Sequence, residues 1–298
     1  MNILLTGATG FIGCAVARRL VDSGHAVHAI LREQSDAARI PHAVQVHRHD
    51  GTTEQLCEIV QHAAPTVVVH MASLFLSDHT IAQVAGLIES NVLFGTQLLE
   101  AMRQAKVACF VNTGTCWQHF DSAAVRPVNL YAATKQAFDT LVDHYNDAHG
   151  ISQVTLKLCD SYGPNDQRRK LVGLLVEAAL SQEQLQLSPG EQTLDLTYID
   201  DISAAFERAV DIVTSSEDKV SARYLVSGSR HTLREVVAIV SEVMSTPVDV
   251  VFGGRPYRRR EVMTPSPSAE PPLPGWLPKF DFHSGLRHML AEAAEGQR

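Results

Sequence analysis

Short apolar runs alternate with longer amphipathic stretches along the first 160 residues. The short runs predict buried strands, and apolar residues at helical spacing predict helices that cover them. The predicted strands span residues 2–6, 26–31, 44–49, 66–70, 108–112 and 153–158. The predicted helices span residues 11–23, 53–63, 81–104 and 131–149. This alternation is typical of a parallel sheet with helices on its faces.

The second half of the chain is less regular. Its predicted strands span residues 194–199, 223–226 and 248–252, and its predicted helices span 171–181, 202–214, 233–244 and 284–294. Thr232 and Glu235 form a capping box at the start of the third of these helices. The proline-rich residues 264–278 are interpreted as a surface loop. We predict an α/β fold with a doubly wound parallel sheet over residues 1–160 and a smaller α/β lobe, 161–298, interleaved with it.

Three glycines follow the first predicted strand at the spacing G-x-x-G-x-x-G, namely Gly7, Gly10 and Gly13. Gly7 permits a sharp turn, Gly10 lets the backbone approach a pyrophosphate, and Gly13 lets the next helix pack closely on the sheet. The N-terminus of that helix offers free N–H groups to phosphates. With a strand before and a helix after, the glycines predict a dinucleotide site in the first domain, which leaves the second lobe for the substrate.

Composition narrows the classes of function. A net charge of −8 over 298 residues argues against nonspecific nucleic-acid binding. No apolar stretch approaches the roughly 20 residues that span a bilayer, so we expect no membrane contact. The absence of a basic leader and five scattered cysteines predict a cytoplasmic protein with reduced thiols. His42, His47 and His49 could mimic a metal cluster, but we interpret them as a polar strand edge and predict no metal site.

Two segments supply candidate catalytic groups. Tyr131 and Lys135 stand four residues apart on one face of a predicted helix. A nearby ammonium would lower the pKa of the phenol, ordinarily about 10, towards acid–base use at neutral pH. Just after the strand at 108–112, Thr115 is our choice to bind a substrate oxygen, and Thr113 is the alternative. Each pattern alone also fits ordinary structure, but together with the glycine turn they predict an enzyme.

These motifs resemble those of extended short-chain dehydrogenases/reductases of the NAD-dependent epimerase/dehydratase type, over essentially the full length. The segments that carry the resemblance are Thr6-Gly-Ala-Thr-Gly-Phe-Ile-Gly13, Val69-His-Met-Ala72-Ser73, Asn91-Val-Leu-Phe-Gly95-Thr96, Tyr131-Ala-Ala-Thr-Lys135, Ser161-Tyr162-Gly163-Pro164 and Tyr198-Ile-Asp200-Asp201. The resemblance implies a Rossmann-type fold and an NAD(P)-dependent oxidoreductase. Most members of this family act on nucleotide-linked sugars.

The resemblance also implies roles for individual residues. Thr115 would supply a hydroxyl, Tyr131 the acid/base, and Lys135 a ribose contact. The other expected cofactor-binding residues are Gly7, Thr9, Gly10, Phe11, Ile12, Arg32, Asp50 (near the adenine), Ala72 and Ser73. A homodimer through the helices near 81–104 and 131–149 is implied as well.

Two departures from the family pattern narrow the reaction. Sugar-nucleotide dehydratases carry an Asp–Glu pair after the catalytic threonine, where this chain has Cys116 and Trp117, so we do not expect a 4,6-dehydratase. The second predicted strand ends in Leu31 and Arg32, without the acidic residue that would bind a ribose 2′-OH. Arg32 could pair with the 2′-phosphate of NADP, which favours NADP(H). The neighbouring Glu33 could still reach a ribose, so NAD(H) stays possible.

Substrate binding is expected to depend on the second half. Many relatives carry an arginine before the Tyr-x-x-Asp segment that clasps the substrate pyrophosphate, and the matching residue here is Leu194. The proposed replacements are Arg168, Lys170 and Arg258, which lie in basic loops that could alternatively be solvated surface. Thr115, Cys116 and Trp117 would line the sugar site.

The run Asn112-Thr-Gly-Thr-Cys-Trp-Gln118 is similar to a subgroup of deoxysugar 4-ketoreductases of O-antigen pathways, among them CDP-abequose and CDP-paratose synthases. The leading hypothesis is an NADPH-dependent reductase of a nucleotide-linked 4-keto-6-deoxyhexose. The alternative is an NAD-dependent nucleotide-sugar C4 epimerase.

Overall fold

The computed structural model describes residues 1–265 and 270–295. Its strands are β1 (Asn2–Thr6), β2 (Ala26–Arg32), β3 (Gln45–His49), β4 (Val67–His70), β5 (Cys109–Thr115), β6 (Ser152–Leu158), β7 (Asp160–Tyr162), β8 (Leu185–Leu187), β9 (Thr193–Tyr198), β10 (Ser221–Val226), β11 (Ser229–Thr232) and β12 (Val250–Phe252). Seven of them form a parallel sheet in the order β10-β6-β5-β4-β1-β2-β3. The strand order reverses between β1 and β4, and such switch points are where open α/β sheets bind ligands.

Helices cover both faces of this sheet. The α-helices are α1 (Phe11–Asp22), α2 (Thr53–Ala63), α3 (Val84–Ile88), α4 (Phe94–Ala105), α5 (Leu130–His149), α6 (Leu171–Ser181), α7 (Ile199–Ser215), α8 (Leu233–Val243) and α9 (Phe282–Glu295). One buried core joins α1 and α7 to the sheet, and another joins α2, α4 and α5 to the opposite face. The predicted Rossmann-type doubly wound fold is therefore confirmed. None of the described helices is long and apolar enough to cross a membrane.

The second half of the chain contributes both to the main sheet and to a smaller lobe. Strand β10 extends the main sheet beside β6, and α7 packs on that sheet. The three-stranded sheet β11-β9-β7 and the two-stranded sheet β12-β8 belong to a smaller lobe, whose separate core includes residues of α6, α8 and α9. Strand β7 of this lobe follows directly on the carboxyl end of β6, and Arg168 and Lys170, in the loop after β7, line a cavity with Gly7 and Gly10.

The prediction of one continuous helix over residues 81–104 is wrong. The segment consists of a 3-10 turn (Ile81–Gln83), α3, a π-helical turn (Glu89–Leu93) and α4. The π-turn contains the buried Asn91, whose side chain binds the backbone of Leu74 through both its oxygen (2.7 Å) and its nitrogen (3.0 Å). It also donates to the Thr134 hydroxyl at 3.0 Å. These hydrogen bonds hold the Asn91 side chain in the protein interior. The π-turn that contains it interrupts the regular pattern of α-helical hydrogen bonds.

Other differences concern short elements and boundaries. Helix α7 begins at Ile199, three residues earlier than predicted, because Asp200 and Asp201 occupy a first turn where carboxylates are favourable. Strands β7, β8 and β11 were not predicted, since each is too short to display an alternating pattern. Within the predicted loop at 264–278, residues 266–269 lie outside the described part, and Pro272 makes a bridge with Leu225 of the edge strand β10.

Candidate active site

The glycine turn lies at the switch point between β1 and β4. Gly7 has a φ of +73°, and a Cβ there would lie 2.6 Å from the Ala72 nitrogen. A Cβ on Gly13 would lie 2.0 Å from the Gly7 carbonyl oxygen. Gly10 caps α1 without a side chain, so the first N–H groups of the helix face outwards. A cradle that only glycines can form, under a helix N-terminus, fits a pyrophosphate.

Thr6 and His70 fix the backbone beside this turn. The Thr6 hydroxyl oxygen accepts from the nitrogens of Met71 and Ala72, both at 3.2 Å, and its proton therefore points to Nδ1 of His70 at 2.8 Å. Complete burial lowers the pKa of His70 to about 3, so the ring stays neutral and Nδ1 accepts. Neither residue was predicted as functional. In the sequence, each could have been recognised only as a polar residue at the carboxyl end of a predicted strand.

Helix α5 places the tyrosine and the lysine. Asn129 caps it by accepting from the Ala132 nitrogen at 2.9 Å, and it donates to the Ser77 carbonyl at 2.8 Å. Tyr131 lies in the first turn and Lys135 one turn later, and both side chains are buried beside the same cavity. The hydroxyl of Ser73 donates to the side-chain oxygen of Asn91 at 3.1 Å, and Ser73 lines the same cavity.

Burial of the phenol raises the pKa of Tyr131 to about 12, and the neighbouring Ser73 hydroxyl opposes this effect only in part. The expectation of a lowered tyrosine pKa is therefore wrong for this structure, since burial dominates. Burial likewise lowers the pKa of Lys135 to about 8, although the nearby Asp139 carboxylate acts in the opposite direction. A neutral phenol is a proton donor, which suits the final step of a carbonyl reduction.

Thr115 ends β5 and caps the 3-10 turn Cys116–Gln118. Its hydroxyl oxygen accepts from the Trp117 nitrogen at 3.3 Å, which leaves the hydroxyl proton to donate into the cavity. The alternative candidate, Thr113, donates its proton to the His70 carbonyl at 2.8 Å. That bond occupies Thr113 and favours Thr115 as the residue that binds a substrate oxygen.

A buried polar network lies behind Thr115. The Asp139 carboxylate accepts from Gln118 at 2.9 Å and from Asn112 at 3.2 Å, and it forms an ion pair with the fully buried Lys157. Gln118 in turn accepts from the Thr115 nitrogen at 3.0 Å. Sequence reasoning missed this network, because its members come from β5, β6 and α5 and share no motif.

A cavity of about 200 Å³ collects most of the predicted site. Ligand pockets typically measure roughly 300–1,000 Å³, so this space suits the reacting ends of two ligands and not their full lengths. The predicted residues that line it are Gly7, Gly10, Phe11, Ile12, Ser73, Thr115, Cys116, Trp117, Tyr131, Lys135, Arg168 and Lys170. The predicted residues outside it are Thr9, Arg32, Asp50, Ala72 and Arg258.

Basic side chains surround the side of the cavity away from the glycines. Arg168 is held by Asp166 at 2.7 Å and lies over the Phe11 ring, while Lys170 Nζ lies 3.9 Å from the centre of the Phe75 ring. Arg258 lies near Trp117 in an adjoining cavity. All three cations lower the pKa of one carboxyl group, that of Asp160, but burial has the larger effect and raises it. Sequence analysis did not identify Asp160 as a site residue. Arg168 is already paired with Asp166, so Lys170 and Arg258 are the cations that outnumber Asp160 and leave a positive field that suits an anionic ligand.

Of the predicted cofactor residues outside the cavity, Thr9 lies in the turn between β1 and α1, Ala72 follows β4, Arg32 ends β2 and Asp50 follows β3. Arg32 is exposed, and among residues 1–265 and 270–295 none hydrogen-bonds its guanidinium. Nη1 of Arg48, which the sequence did not single out, donates to the carbonyls of Arg32 (3.0 Å), Glu33 (2.5 Å) and Ser35 (3.1 Å) and so orders this turn. The carboxylate of Asp50 accepts from the Thr52 nitrogen at 2.8 Å at the start of α2.

Comparisons with known proteins agree with this geometry. The family model described as "NAD dependent epimerase/dehydratase family" matches residues 3–221. A CDP-abequose synthase of Yersinia pseudotuberculosis is 31% identical over 268 residues, which are 89% of this chain and 92% of that protein. The UDP-glucose 4-epimerase of Thermus thermophilus, solved with NAD, is 25% identical with a TM-score of 0.84, and all of both chains is covered. The UDP-glucose 4-epimerase of Thermotoga maritima, solved with UDP-glucose, is 19% identical with a TM-score of 0.86 and the same full coverage.

Gly13→Ala tests the cradle. The added Cβ would meet the Gly7 carbonyl oxygen at 2.0 Å, so α1 must move away from the turn. We expect dinucleotide affinity, measured by fluorescence titration, to fall at least about tenfold, or roughly 1.4 kcal/mol. Gly173→Ala in α6 is the matched control, because its Cβ meets nothing within 4 Å. Equal affinities of the two variants would contradict the assignment.

Proposed function

Because this chain belongs to the NAD-dependent epimerase/dehydratase family, we propose that it is an NADPH-dependent reductase of a nucleotide-linked 4-keto-6-deoxyhexose. The observation that carries the proposal is that the buried Tyr131 and Thr115 line one cavity, between the glycine cradle and a basic cluster. This arrangement offers two hydrogen-bond donors to one substrate oxygen. It fits a reaction in which that oxygen gains negative charge and then a proton.

Each protein group has a separate part in this reaction. Reduced nicotinamide, when bound, supplies the hydride that the keto carbon accepts. The Thr115 hydroxyl donates to the keto oxygen and stabilises the developing alkoxide, and Tyr131 gives that oxygen its proton. Lys135, buried one turn from Tyr131, would hold the ribose of the cofactor and supply positive charge near the phenol.

The residues after Thr115 support reduction over dehydration. A 4,6-dehydratase needs an acid and a base beside the sugar, whereas Cys116 and Trp117 line this cavity. The enzyme would therefore take a sugar whose 4-keto group another enzyme has already formed. Arg168, Lys170 and Arg258 would hold its diphosphate in the positive field around Asp160.

The decisive experiment is a panel of CDP-, dTDP-, UDP- and GDP-linked 4-keto-6-deoxyhexoses with NADPH or NADH, followed by nicotinamide absorbance. We expect NADPH oxidation with at least one member. Protein that purifies with one equivalent of NAD and interconverts C4 epimers without added nicotinamide would instead be a nucleotide-sugar C4 epimerase, the activity named for two of the structural relatives. The absence of both activities would refute the nucleotide-sugar assignment.

Tyr131→Phe tests the proton donor. Removal of the phenol oxygen should lower kcat by roughly 100-fold or more, because general acid catalysis is lost, while NADPH affinity stays within about threefold. Tyr145→Phe is the matched control on the same helix, since that hydroxyl donates to Glu100 away from the cavity. Near-normal turnover of the Tyr131 variant in steady-state assays would rule out this mechanism.

The turn after β2 supports NADP(H) as the cofactor. The Arg32 guanidinium makes no hydrogen bond within the described part of the chain, and Arg48 orders the carbonyls beneath it. A phosphate at this position would receive charge-assisted hydrogen bonds from an arginine whose backbone is already fixed. The adjacent Glu33 favours a ribose hydroxyl instead, and the Thermus thermophilus relative was solved with NAD.

Arg32→Ala should weaken NADPH binding at least about tenfold and change NADH binding by less than about twofold, because only NADPH carries the 2′-phosphate. Isothermal titration calorimetry with both cofactors measures the two effects. Arg103→Ala, at an exposed ion pair on α4, is the control. An equal loss of affinity for both cofactors would place Arg32 outside the 2′-phosphate site.

We further propose a homodimer through the segment around α3. Ile81 is 95% exposed, and Val84, Ile88 and Leu93 are also exposed at nearly helical spacing. Such a stripe on a globular protein indicates an interface, because isolated apolar residues are common on surfaces but aligned ones are not. The predicted contact through α5 has no comparable set of large exposed apolar residues among those described.

Val84→Lys combined with Ile88→Lys should convert a dimer into a monomer, because two charges would be buried without partners. Light scattering after size exclusion gives the mass directly. Leu180→Lys is the control, since Leu180 is an exposed apolar residue on α6. A monomeric parent protein at micromolar concentration, or a variant that stays dimeric, would contradict this interface.

A further inference from the structure

Two cysteines follow directly on the ends of neighbouring strands. The register of β5 and β6 pairs Thr115 with Leu158, and Cys116 and Cys159 are the next residues of their strands. Adjacent strands lie about 4.8 Å apart. Disulfides form between Cα atoms about 4.4–6.8 Å apart, so the strand spacing already matches that bond.

The two side chains share a cavity as well as a register. Cys116 and Cys159 both line the cavity that contains Tyr131, and both also line the adjoining cavity. Both residues are half-buried, so a small solute can reach them. The other cysteines differ: Cys14 and Cys109 donate to backbone carbonyls, and Cys57 lies on α2.

The surroundings keep Cys159 protonated at rest. The neighbouring Cys116 thiol raises the pKa of the Cys159 thiol, and burial and the nearby carboxylates of Asp195 and Asp160 raise it further. Because the thiolate is the form that attacks a peroxide, this assigns the first attack to Cys116 and the second step to Cys159. In the described structure all five cysteines are free.

We propose that Cys116 and Cys159 form a modification site at which a peroxide oxidises the two thiols to a disulfide and stops turnover. One sulfur attacks the peroxide, the O–O bond breaks, and a sulfenic acid and water form. The second sulfur then attacks the first, the S–O bond breaks, and a second water leaves with the remaining thiol proton. Two thiols and one hydrogen peroxide thus give one disulfide and two waters, and a dithiol reductant reverses the change.

The position of the disulfide explains its effect on turnover. Cys116 begins the 3-10 turn that Thr115 caps, and Cys159 precedes Asp160 in the basic cluster. A bond between the two sulfurs would constrain both walls of the sugar side of the cavity. The glycine cradle comes from β1 and α1 and contains neither cysteine, so cofactor binding should not change.

The first test needs no substrate. The full-length, reduced protein is treated with hydrogen peroxide, and peptide mass spectrometry and a thiol count under denaturing conditions are applied. We expect a loss of two of the five thiols, a linked Cys116–Cys159 peptide, and recovery of both thiols with dithiothreitol. NADPH affinity of the oxidised protein should stay within about twofold.

Single variants locate the reaction. Cys116→Ser and Cys159→Ser should each abolish the reversible loss of two thiols, whereas Cys57→Ser should retain it. In the reductase assay, oxidation should lower turnover of the parent protein and of Cys57→Ser at least about tenfold, and dithiothreitol should restore both. The Cys159→Ser variant should show no such dithiothreitol-dependent recovery.

Several outcomes would overturn the proposal. These are a disulfide between other cysteines, an intramolecular disulfide that survives in Cys116→Ser, oxidation of both thiols to sulfinic acids without a linked peptide, or a linked protein with unchanged turnover. The chemical test is independent of the proposed reaction. A linked peptide without any ketoreductase activity would refute the proposed function while leaving the dithiol chemistry intact.

Discussion

The buried carboxylate of Asp139 is the constraint on which the catalytic half of the site depends. It accepts hydrogen bonds from Asn112 and Gln118 and pairs with Lys157 in the interior. A buried ion pair is stable only when its remaining hydrogen-bonding capacity is also satisfied, and such a network therefore allows few geometries. Because Gln118 also binds the Thr115 backbone, the network fixes Thr115 relative to α5.

The half of the site that would hold the cofactor depends on backbone segments that lie very close together, and not on charge. Gly7 and Gly13 bring the turn, α1 and the loop after β4 to distances that no side chain could tolerate. Thr6 and His70 join the ends of β1 and β4 beneath that turn. Both halves meet in one cavity because all strands of the main sheet are parallel, so their carboxyl ends lie on the same edge.

The chemistry between these halves depends on what the surroundings do to each group. Burial raises the pKa of Tyr131 to about 12, so the phenol holds its proton until a stronger base such as an alkoxide forms, and burial lowers the pKa of Lys135 to about 8. The smaller lobe adds Arg168, which is paired with Asp166, and Lys170, which lies near Asp160. The same meeting of strand ends that joins the two halves also brings Cys116 and Cys159 to one cavity, so the site that would reduce a sugar also contains two cysteines from neighbouring strands.

The sequence by itself determined the features that depend on local spacing. The alternation of apolar runs predicted the sheet and its covering helices, the glycine spacing predicted the turn, and Tyr131 with Lys135 predicted one face of a helix. Only the tertiary structure decided the contacts among Asn112, Asp139 and Lys157, the π-turn at Asn91 and the pairing of the two cysteines. These come from segments far apart in the chain, whose register no local pattern records. The direction of the Tyr131 pKa was likewise undecided until burial was known, because the solvation of a phenol is a property of everything packed around it.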